Sequence, residues 1–517
     1  MNDSIADDVA VLGHVPSHQR HRVLHGMRWT VWLSALAVPF SAGTNLLLAR
    51  IGPETIGVYG LLSVYIGLIT AFLYFGGDTV VIRFIPECRE EDRASFLVSY
   101  LLVILTLLFG CLVVAYFFPA VLRIILGDGG GDRFRFLVVC LAPLPIACWI
   151  ILASLKGMLD IRVSQILSKL VPISALIGYA SLYLAARPLM VRYPFQVIWA
   201  VYLVPMAVLG TVGAIRVIRL CGYSPIRFYL PRGFWSYALA TQQVGVAFFL
   251  AYRLDYILVL NYGGLEVLGR YVAVMTVAGL VPMVDGFFMD ALLPSLTNMQ
   301  ATRNTAGAAQ VFMMHMRILF LVATAMSCGI MVLAVAATSV MGAQYHSIQK
   351  LIILMAMVQG IANPAMAGGI LLASIGRQRL AIWSCGLHVV LLTGLFFVLW
   401  RHWGLTGEVI ASAVAVMVSY GSMMVFAMWV APYSRSIVGL WARAACVDIA
   451  VGFIALWWMP LGLTAAALVW IGAMVLFLWL SGYDSTECRS LAQTFLPRVA
   501  LRYDQKSGAM VVGRVGG

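Results

Sequence analysis

Residues 52–59 of the chain read G-P-E-T-I-G-V-Y, and residues 264–271 read G-L-E-V-L-G-R-Y. Both stretches fit the pattern G-x-E-x-x-G-x-Y, and the offset of 212 positions between them also places Asp78 on Asp290. Self-similarity at a fixed offset is the sequence signature of a repeated structural unit. Each copy falls in a short turn between an odd-numbered and an even-numbered apolar run. The sequence therefore predicts two parallel repeats, related by an axis along the normal of a membrane.

The composition surrounding the two motifs is that of a membrane protein. Of the 517 residues, 62% are hydrophobic and 11% are charged, and the mean hydropathy is +0.95. Soluble domains average about 45–50% apolar and about 25% charged residues, so a soluble enzyme, a nucleic-acid reader and a secreted scaffold are excluded. The net charge of +13 is explained by basic residues that flank membrane spans. The nine cysteines include no C-x-x-C pair, so neither a disulfide framework nor a zinc site is predicted.

Fourteen apolar runs are long enough for helices that cross the hydrocarbon layer, which takes about 20 residues. They cover residues 29–49, 56–82, 96–119, 134–156, 163–186, 194–218, 234–262, 267–296, 313–338, 348–376, 379–400, 405–431, 436–458 and 461–482. No loop between them is long enough to fold as a domain. The predicted fold class is an all-α polytopic membrane protein with about 14 transmembrane helices.

Lys and Arg residues set the predicted orientation, because cytoplasmic loops carry an excess of them. Of the 34 Lys and Arg residues, 23 lie on the side of the N-terminus, nine on the opposite side and two within spans. Both termini are thus predicted to be cytoplasmic. The predicted divisions are a cytoplasmic N-terminal segment (1–28), a six-helix bundle (29–218), a cytoplasmic linker (219–233), a second six-helix bundle (234–431), two additional helices (432–482) and a cytoplasmic tail (483–517).

Ionisable groups are costly inside a bilayer and by default face a cavity or a partner. Arg253 lies nine residues before the outer end of the seventh run and shares one helical stripe with Gln242. A cation on a cavity wall would attract phosphate and form charge-assisted hydrogen bonds with it. Arg253, Gln242 and Lys169 are therefore predicted to line a substrate cavity. Snorkelling to the interface is the alternative for both cations, and pairing with a neighbouring carboxylate is a further one for Arg253.

Four carboxylates are candidates for lining this cavity or for binding a coupling ion, H⁺ or Na⁺. Asp255 lies two residues after Arg253 and points in a different direction, because two residues turn a helix by about 200°. Asp285 and Asp290 occupy the inner half of the eighth run, and Asp78 occupies the equivalent place in the second. The structural alternative for Asp78 and Asp290 is ion pairing, with Arg83 in the case of Asp78, or capping of a broken helix.

His388 and Asp448 lie near the middle of the eleventh and thirteenth runs and are weaker site candidates. A buried polar side chain is more often a satisfied hydrogen-bond partner than a functional group. The sequence contains no metal-ligand spacing, nucleophile elbow, paired catalytic carboxylates or Walker-type phosphate loop. The chain is therefore predicted not to be an enzyme, with no catalytic residues, no metal and no cofactor beyond a coupling ion.

Two longer stretches resemble a known family. L-L-L-A-R-I-G-P-E-T-I-G-V-Y-G-L-L-S-V-Y-I-G-L-I-T (46–70), followed by V-I-R-F-I-P-E (81–87), resembles the N-terminal signature of Wzx-type polysaccharide repeat-unit flippases. These belong to the multidrug/oligosaccharidyl-lipid/polysaccharide (MOP) exporter superfamily. Y-R-L-D-Y-I-L-V-L-N-Y-G-G-L-E-V-L-G-R-Y (252–271) is similar to the start of the family's second half, including its Asp at Asp255. The resemblance covers residues 29–431, and the last two runs match only in hydropathy.

The resemblance implies two parallel-repeat six-helix bundles, MATE/MurJ-like, around a V-shaped cavity, with spans thirteen and fourteen added as in lipid II flippases. It implies transfer of an undecaprenyl-diphosphate-linked oligosaccharide to the outer leaflet of the bacterial cytoplasmic membrane, for exopolysaccharide or O-antigen assembly. The expected partners are this substrate, membrane lipids, a polysaccharide polymerase and a co-polymerase, and no nucleic acid. The first span has only Arg28 and Arg50 at its ends, whereas lipid II flippases carry an arginine cluster there, which argues against a peptidoglycan role.

Two other functions stay open. A cation-coupled multidrug exporter of the same superfamily would have an acidic, aromatic-rich cavity, whereas Arg253 and Lys169 favour an anionic cargo. A membrane-embedded glycan polymerase or ligase would need a sizeable outer loop, and residues 120–133 are too short to provide one.

Overall fold

The structure, a computed structural model, describes residues 36–118, 140–158, 160–222, 225–283, 305–431, 438–457 and 463–481, two short strands, and single residues between these ranges. Within them, ten helices are long and apolar enough to cross a membrane, and three further apolar helices are shorter. The protein is therefore an all-helical, multi-span membrane protein, as the sequence predicted.

Each of the fourteen predicted spans coincides with helical residues. The bounds are Leu36–Ile51 for span 1, Pro53–Leu68 and Gly77–Glu87 for span 2, Arg93–Phe117 for span 3, Pro143–Gly157 for span 4, Ile161–Arg192 for span 5, Pro194–Cys221 for span 6, Phe234–Ala278 for span 7 and the start of span 8, Thr305–Met341 for span 9, Gln349–Ala362 and Ala367–Ser374 for span 10, Gln378–Trp403 for span 11, Leu405–Val430 for span 12, Val438–Trp457 for span 13, and Leu463–Leu480 for span 14. Strands Ala500–Tyr503 (β1) and Met510–Gly513 (β2) pair antiparallel and were not predicted.

Span 2 is broken, although the sequence predicted one uninterrupted run over 56–82. Its first helix passes through a π-helical turn, Ile69–Leu73, and the chain then takes positive φ angles of 32° at Phe75, 86° at Gly76 and 63° at Gly77. Adjacent glycines adopt such angles without a steric penalty. The carbonyl of Tyr74 accepts from the backbone N–H of Gly77 at 2.8 Å and from the hydroxyl of Tyr100 at 2.7 Å. The break places Asp78 in the first turn of the second helical segment.

The two repeat motifs pack directly against each other, where spans 1 and 2 meet and where spans 7 and 8 meet. A Cβ atom at Gly57 would lie 2.5 Å from the carbonyl oxygen of Leu265, and a Cβ atom at Gly269 would overlap the carbonyl of Pro53. Pro53 and Leu265 are equivalent in the repeat, as are Gly57 and Gly269, so the contact is reciprocal. Only glycine allows the two backbones to approach this closely. This contact closes the predicted outer end of the molecule.

Spans 13 and 14 pack on the second half of the chain. Span 10 is interrupted by a 3-10 turn, Asn363–Met366, because Pro364 lacks a backbone N–H. The indole Nε1–H of Trp441 on span 13 donates to the carbonyl of Ile361 on span 10 at 2.7 Å. On span 14, Trp470 donates to the carbonyl of Ala325 on span 9 at 2.8 Å. Span 13 thus covers the interruption in span 10.

Candidate functional site

A cavity of about 370 Å³ lies between the two halves of the chain, on the predicted inner side of the repeat-motif contact. It is formed by the broken region of span 2, by span 4 and by the first half of span 7. The lining residues are Thr70, Tyr74, Gly76, Gly77, Asp78, Thr79, Trp149, Thr241, Gln242, Val244, Gly245 and Phe248. Two residues predicted for the site, Asp78 and Gln242, are therefore brought together at this cavity.

Gln242 joins the two halves through its side-chain amide. Its oxygen accepts from the backbone N–H of Gly76 at 2.9 Å, and its nitrogen donates to the carbonyl of Ala71. Both backbone groups belong to the broken stretch of span 2, where the regular helical hydrogen bonds are lost. Gln242 thus lines this cavity and also satisfies backbone groups of the opposite half.

Asp78 has partners that differ from the structural alternative considered for it. The hydroxyl of Tyr74 donates to its Oδ1 at 2.6 Å, and Nζ of Lys156 lies 3.7 Å from its Oδ2. Arg83, the expected partner, instead lies 3.7 Å from Glu87 and places its guanidinium 4.2 Å from the ring centroid of Tyr237. Lys156 was missed because it sits on span 4, far away in sequence.

Arg253 is half-buried and faces span 2, and it is not among the residues that line this cavity. A Cβ atom at Gly67 would lie 3.1 Å from the ring of Phe249 and 3.2 Å from Cγ of Arg253. Its guanidinium carbon lies 5.2 Å from the ring centroid of Tyr256, and Nη1 makes a long contact of 3.4 Å with the carbonyl of Tyr252. No carboxylate in the described part of the chain lies within ion-pair distance of Arg253. It stands roughly 16 Å along span 7 from the glycine turn at Gly264.

Asp255 does not line the cavity but points into the second half of the chain, where it is 4% exposed. Its Oδ2 accepts from the hydroxyl of Tyr271 at 2.5 Å, and its Oδ1 accepts from the backbone N–H of Tyr256 at 2.9 Å. The hydroxyl of Tyr271 also lies 3.4 Å from Oγ of Ser412 on span 12. Asp255 is therefore held by spans 7 and 8 and approached by span 12.

Glu408, at the start of span 12, completes a pair of buried carboxyl groups. It is 0% exposed and interacts electrostatically with both Asp255 and Tyr271. Neither of its carboxyl oxygens has a hydrogen-bond partner among the residues that the structure describes. Glu408 lies near the start of the twelfth apolar run, 405–431, and is not among the residues predicted for the site. The feature of the sequence that could have indicated its burial is Gly407. Because glycine has no side chain, the turn before span 12 packs against the backbone of Leu399.

The remaining predicted residues lie elsewhere. Lys169 is half-buried on span 5 and is not among the cavity-lining residues. His388 is 2% exposed, with its ring 6.5 Å from that of Tyr252. Asp448 is buried between spans 9, 10 and 13. Asp285 and Asp290 lie outside the described residues. In the described ranges, no three His, Cys, Asp or Glu side chains form a group that could hold a metal ion.

The fold has known counterparts among solved structures. No protein-family model matches the chain, and a comparison with curated proteins gives no match. The inward-facing conformation of a multidrug resistance MATE family transporter of the MOP superfamily superposes with a TM-score of 0.63 at 13% identity, over 80% of this chain and 99% of that one. The fold is that of MOP superfamily transporters. The lipid II flippase MurJ in an inward closed conformation superposes with a TM-score of 0.64 at 12% identity, over 89% of this chain and 99% of MurJ.

A third similar structure is a MOP superfamily transporter from Pyrococcus furiosus Vc1, for which a reversed polarity of the binding pocket suggests a different function. It has a TM-score of 0.55 at 16% identity and covers 83% of this chain and 98% of its own. One MOP fold therefore accommodates binding pockets of different polarity. The substrate must be argued from the charges at the site.

Proposed function

We propose that this chain is an alternating-access transporter that moves an undecaprenyl-diphosphate-linked oligosaccharide from the cytoplasmic to the outer leaflet of the bacterial cytoplasmic membrane. The observation that carries the proposal is Arg253. A guanidinium within a span is costly unless it faces a cavity or has partners. The described part of the chain offers Arg253 the ring of Tyr256 and the carbonyl of Tyr252 but no carboxylate within ion-pair distance. Arg253 also faces the boundary between the halves, where a diphosphate could form bidentate, charge-assisted hydrogen bonds with it.

The two ends of the molecule suit alternating access. The reciprocal glycine contact closes the predicted outer end, and the cavity beside Asp78 and Gln242 lies toward the predicted inner end. Transfer requires the glycine contact to open while the two halves approach each other around the cavity. Sugars and a diphosphate cross through the polar space, whereas the polyprenyl chain stays in lipid.

Asp255 and Glu408 are the groups assigned to ion coupling. Two buried carboxyl groups that repel each other cannot both be ionised without a compensating charge. At least one H⁺, or a Na⁺ ion, is therefore bound at this pair. The gradient of this ion across the membrane would supply the driving force. Binding and release of the ion would be coupled to Arg253, because Asp255 lies on the same helix as Arg253.

A cation-coupled multidrug exporter is the second candidate. The observation that favours it is the set of aromatic rings in the cavity, Tyr74, Trp149 and Phe248, beside the carboxylate of Asp78. Aromatic faces and a carboxylate suit an apolar cation. The ion pair of Asp78 with Lys156 weakens this reading, because the carboxylate already has a cationic partner.

Deletion of the gene, followed by complementation with variants, tests the proposal. We expect lipid-linked repeat units to accumulate on the inner leaflet in the deletion strain, and export to return with the wild type. Arg253→Ala should fail to restore export, Arg253→Lys should restore part of it, and Arg401→Ala, an exposed control on span 11, should restore it fully. Membrane insertion should be equal in all variants. Normal surface polysaccharide together with new drug sensitivity in the deletion strain would instead support the exporter.

A further inference from the structure

Asp448 occupies the middle of span 13 and is completely buried, with 0% exposure. Span 9 faces it with Ser327 and Cys328, and span 10 faces it with Gly360. A Cβ atom at Gly360 would lie 2.5 Å from Oγ of Ser327 and 2.7 Å from Oδ2 of Asp448. The glycine therefore lets three helices close around the carboxyl group, and the closeness of the packing leaves no room for a hydrated ion.

The number of protons available around Asp448 decides which groups donate in its hydrogen bonds. Oγ of Ser327 lies 2.5 Å from Oδ1 of Asp448 and 3.1 Å from the carbonyl oxygen of Thr324. A serine hydroxyl has one proton to donate, and a carbonyl oxygen can only accept. When Ser327 donates to Thr324, as serines in helices commonly do, the proton in the 2.5 Å contact comes from Asp448. The carboxyl group is then a neutral acid whose Oδ1 donates to Ser327 and accepts from the thiol of Cys328 at 3.5 Å.

The charges around Asp448 agree with a neutral acid. Oδ2 of Asp448 has no hydrogen-bond partner within the described residues, and no ion pair is made with it there. Span 14 has no titratable residue between Leu463 and Leu480. Apart from Cys328 and the exposed Cys446, which lies two residues from Asp448, the titratable groups on the helices that pack here lie one or more turns away along their helices: His315 and Arg317 on span 9, Lys350 on span 10, and Arg443 on span 13. An ionised carboxylate without a cation is expensive in such surroundings.

We propose that Asp448 is a proton-binding site, and that the bound proton fastens span 13 to spans 9 and 10. Its carboxyl Oδ1–H donates to Ser327, and Ser327 passes a hydrogen bond on to the carbonyl of Thr324. The site is separate from the Asp255–Glu408 pair and does not depend on which substrate is transported. Loss of the proton would leave an unpaired anion between three helices and would separate span 13 from the interruption in span 10, where Trp441 is its second polar contact.

Infrared spectroscopy of the purified full-length chain in lipid nanodiscs tests the proton directly. A protonated carboxyl group gives a carbonyl stretching band that shifts in D₂O and is absent from an ionised carboxylate. We expect the wild type at neutral pH to show such a band, and Asp448→Asn to lose one component of it. Glu408→Gln and Asp255→Asn are the matched controls for the other buried acids, and neither should remove the Asp448 component.

If Asp448→Asn folds poorly, the variant Ser327→Ala still tests whether Asp448 is protonated. Ser327→Ala removes the acceptor but leaves the acid, so the Asp448 component should remain and move to higher frequency. Replacing K⁺ with Na⁺ should change thermal unfolding equally in the wild type and in Asp448→Asn, because the Asp448 site holds a proton and any Na⁺ effect belongs to the Asp255–Glu408 pair. The proposal is overturned if the wild type and Asp448→Asn have the same carboxyl band, or if Na⁺ raises the wild-type melting temperature and Asp448→Asn abolishes that rise.

Discussion

Replacement of Gly57 by alanine should open the outer end of the protein. The new Cβ atom would lie 2.5 Å from the carbonyl oxygen of Leu265, and a backbone carbonyl cannot rotate away as a flexible side chain can. Relief of such an overlap costs about 1–3 kcal/mol in a packed interior. The overlap exists only while the two repeat motifs touch, so the cost falls on the outer-closed state alone. The ratio of outer-open to outer-closed molecules should therefore rise by about 5- to 150-fold.

The ratio can be measured by labelling a single reporter cysteine from outside the cell. Thr70→Cys lies on the cavity wall, in a background whose accessible native cysteines are replaced by serine, and a membrane-impermeant maleimide reports its outward exposure. Gly394→Ala is the matched control, because a Cβ atom at that helical glycine meets no atom within 4 Å. Gly269→Ala should raise the labelling rate at least as much as Gly57→Ala, since its Cβ atom would overlap the carbonyl of Pro53 more closely. Equal labelling rates for Gly57→Ala and Gly394→Ala would refute the assignment of this contact as a gate.

Three further substitutions test the polar contacts. Gln242→Leu should lower the unfolding free energy by about 1–3 kcal/mol, because two backbone groups of span 2 lose their partner; Gln243→Leu, an exposed neighbour, should have little effect on the thermal unfolding curve. Asp78→Asn should change stability by less than about 1 kcal/mol, because its ion pair is partly exposed, and a larger loss in thermal unfolding would contradict this. Trp441→Phe should cost about 0.5–1.5 kcal/mol through the lost bond to span 10, whereas Trp457→Phe, which is 73% exposed, should melt like the wild type.

The spans and the repeat could be predicted because they depend on local features of the sequence. Long apolar runs must become helices in a bilayer, where every backbone polar group needs an internal partner. The break in span 2 depends on the pair Gly76 and Gly77 inside such a run, and a hydropathy profile does not reveal this break. Its consequence, a set of backbone groups that Gln242 satisfies from the other half of the chain, requires knowledge of which helices touch.

The candidate site was predictable only in part, for a geometric reason. Helical spacing correctly indicated that Arg253 and Asp255 point in different directions, but it could not say that one faces span 2 and the other faces Tyr271. Glu408 was missed because its depth depends on how tightly the turn before span 12 packs. Lys156 was missed because an ion pair between spans 2 and 4 leaves no pattern in one sequence.

The two halves share the residues that form their contact but differ at the positions of Arg253 and Asp255. Gly57 and Gly269 are both glycine, and Tyr59 is repeated as Tyr271, but the offset of 212 places Ser41 opposite Arg253 and a glycine opposite Asp255. A reciprocal gate requires equivalent residues on both sides, because each motif must accept the backbone of the other. Ion and anion binding require only one copy. Gating should therefore respond to matched substitutions in both halves, whereas anion binding at Arg253 and ion binding at Asp255 should depend on the second half. A loss of export in Ser41→Ala as large as that in Arg253→Ala would contradict this division.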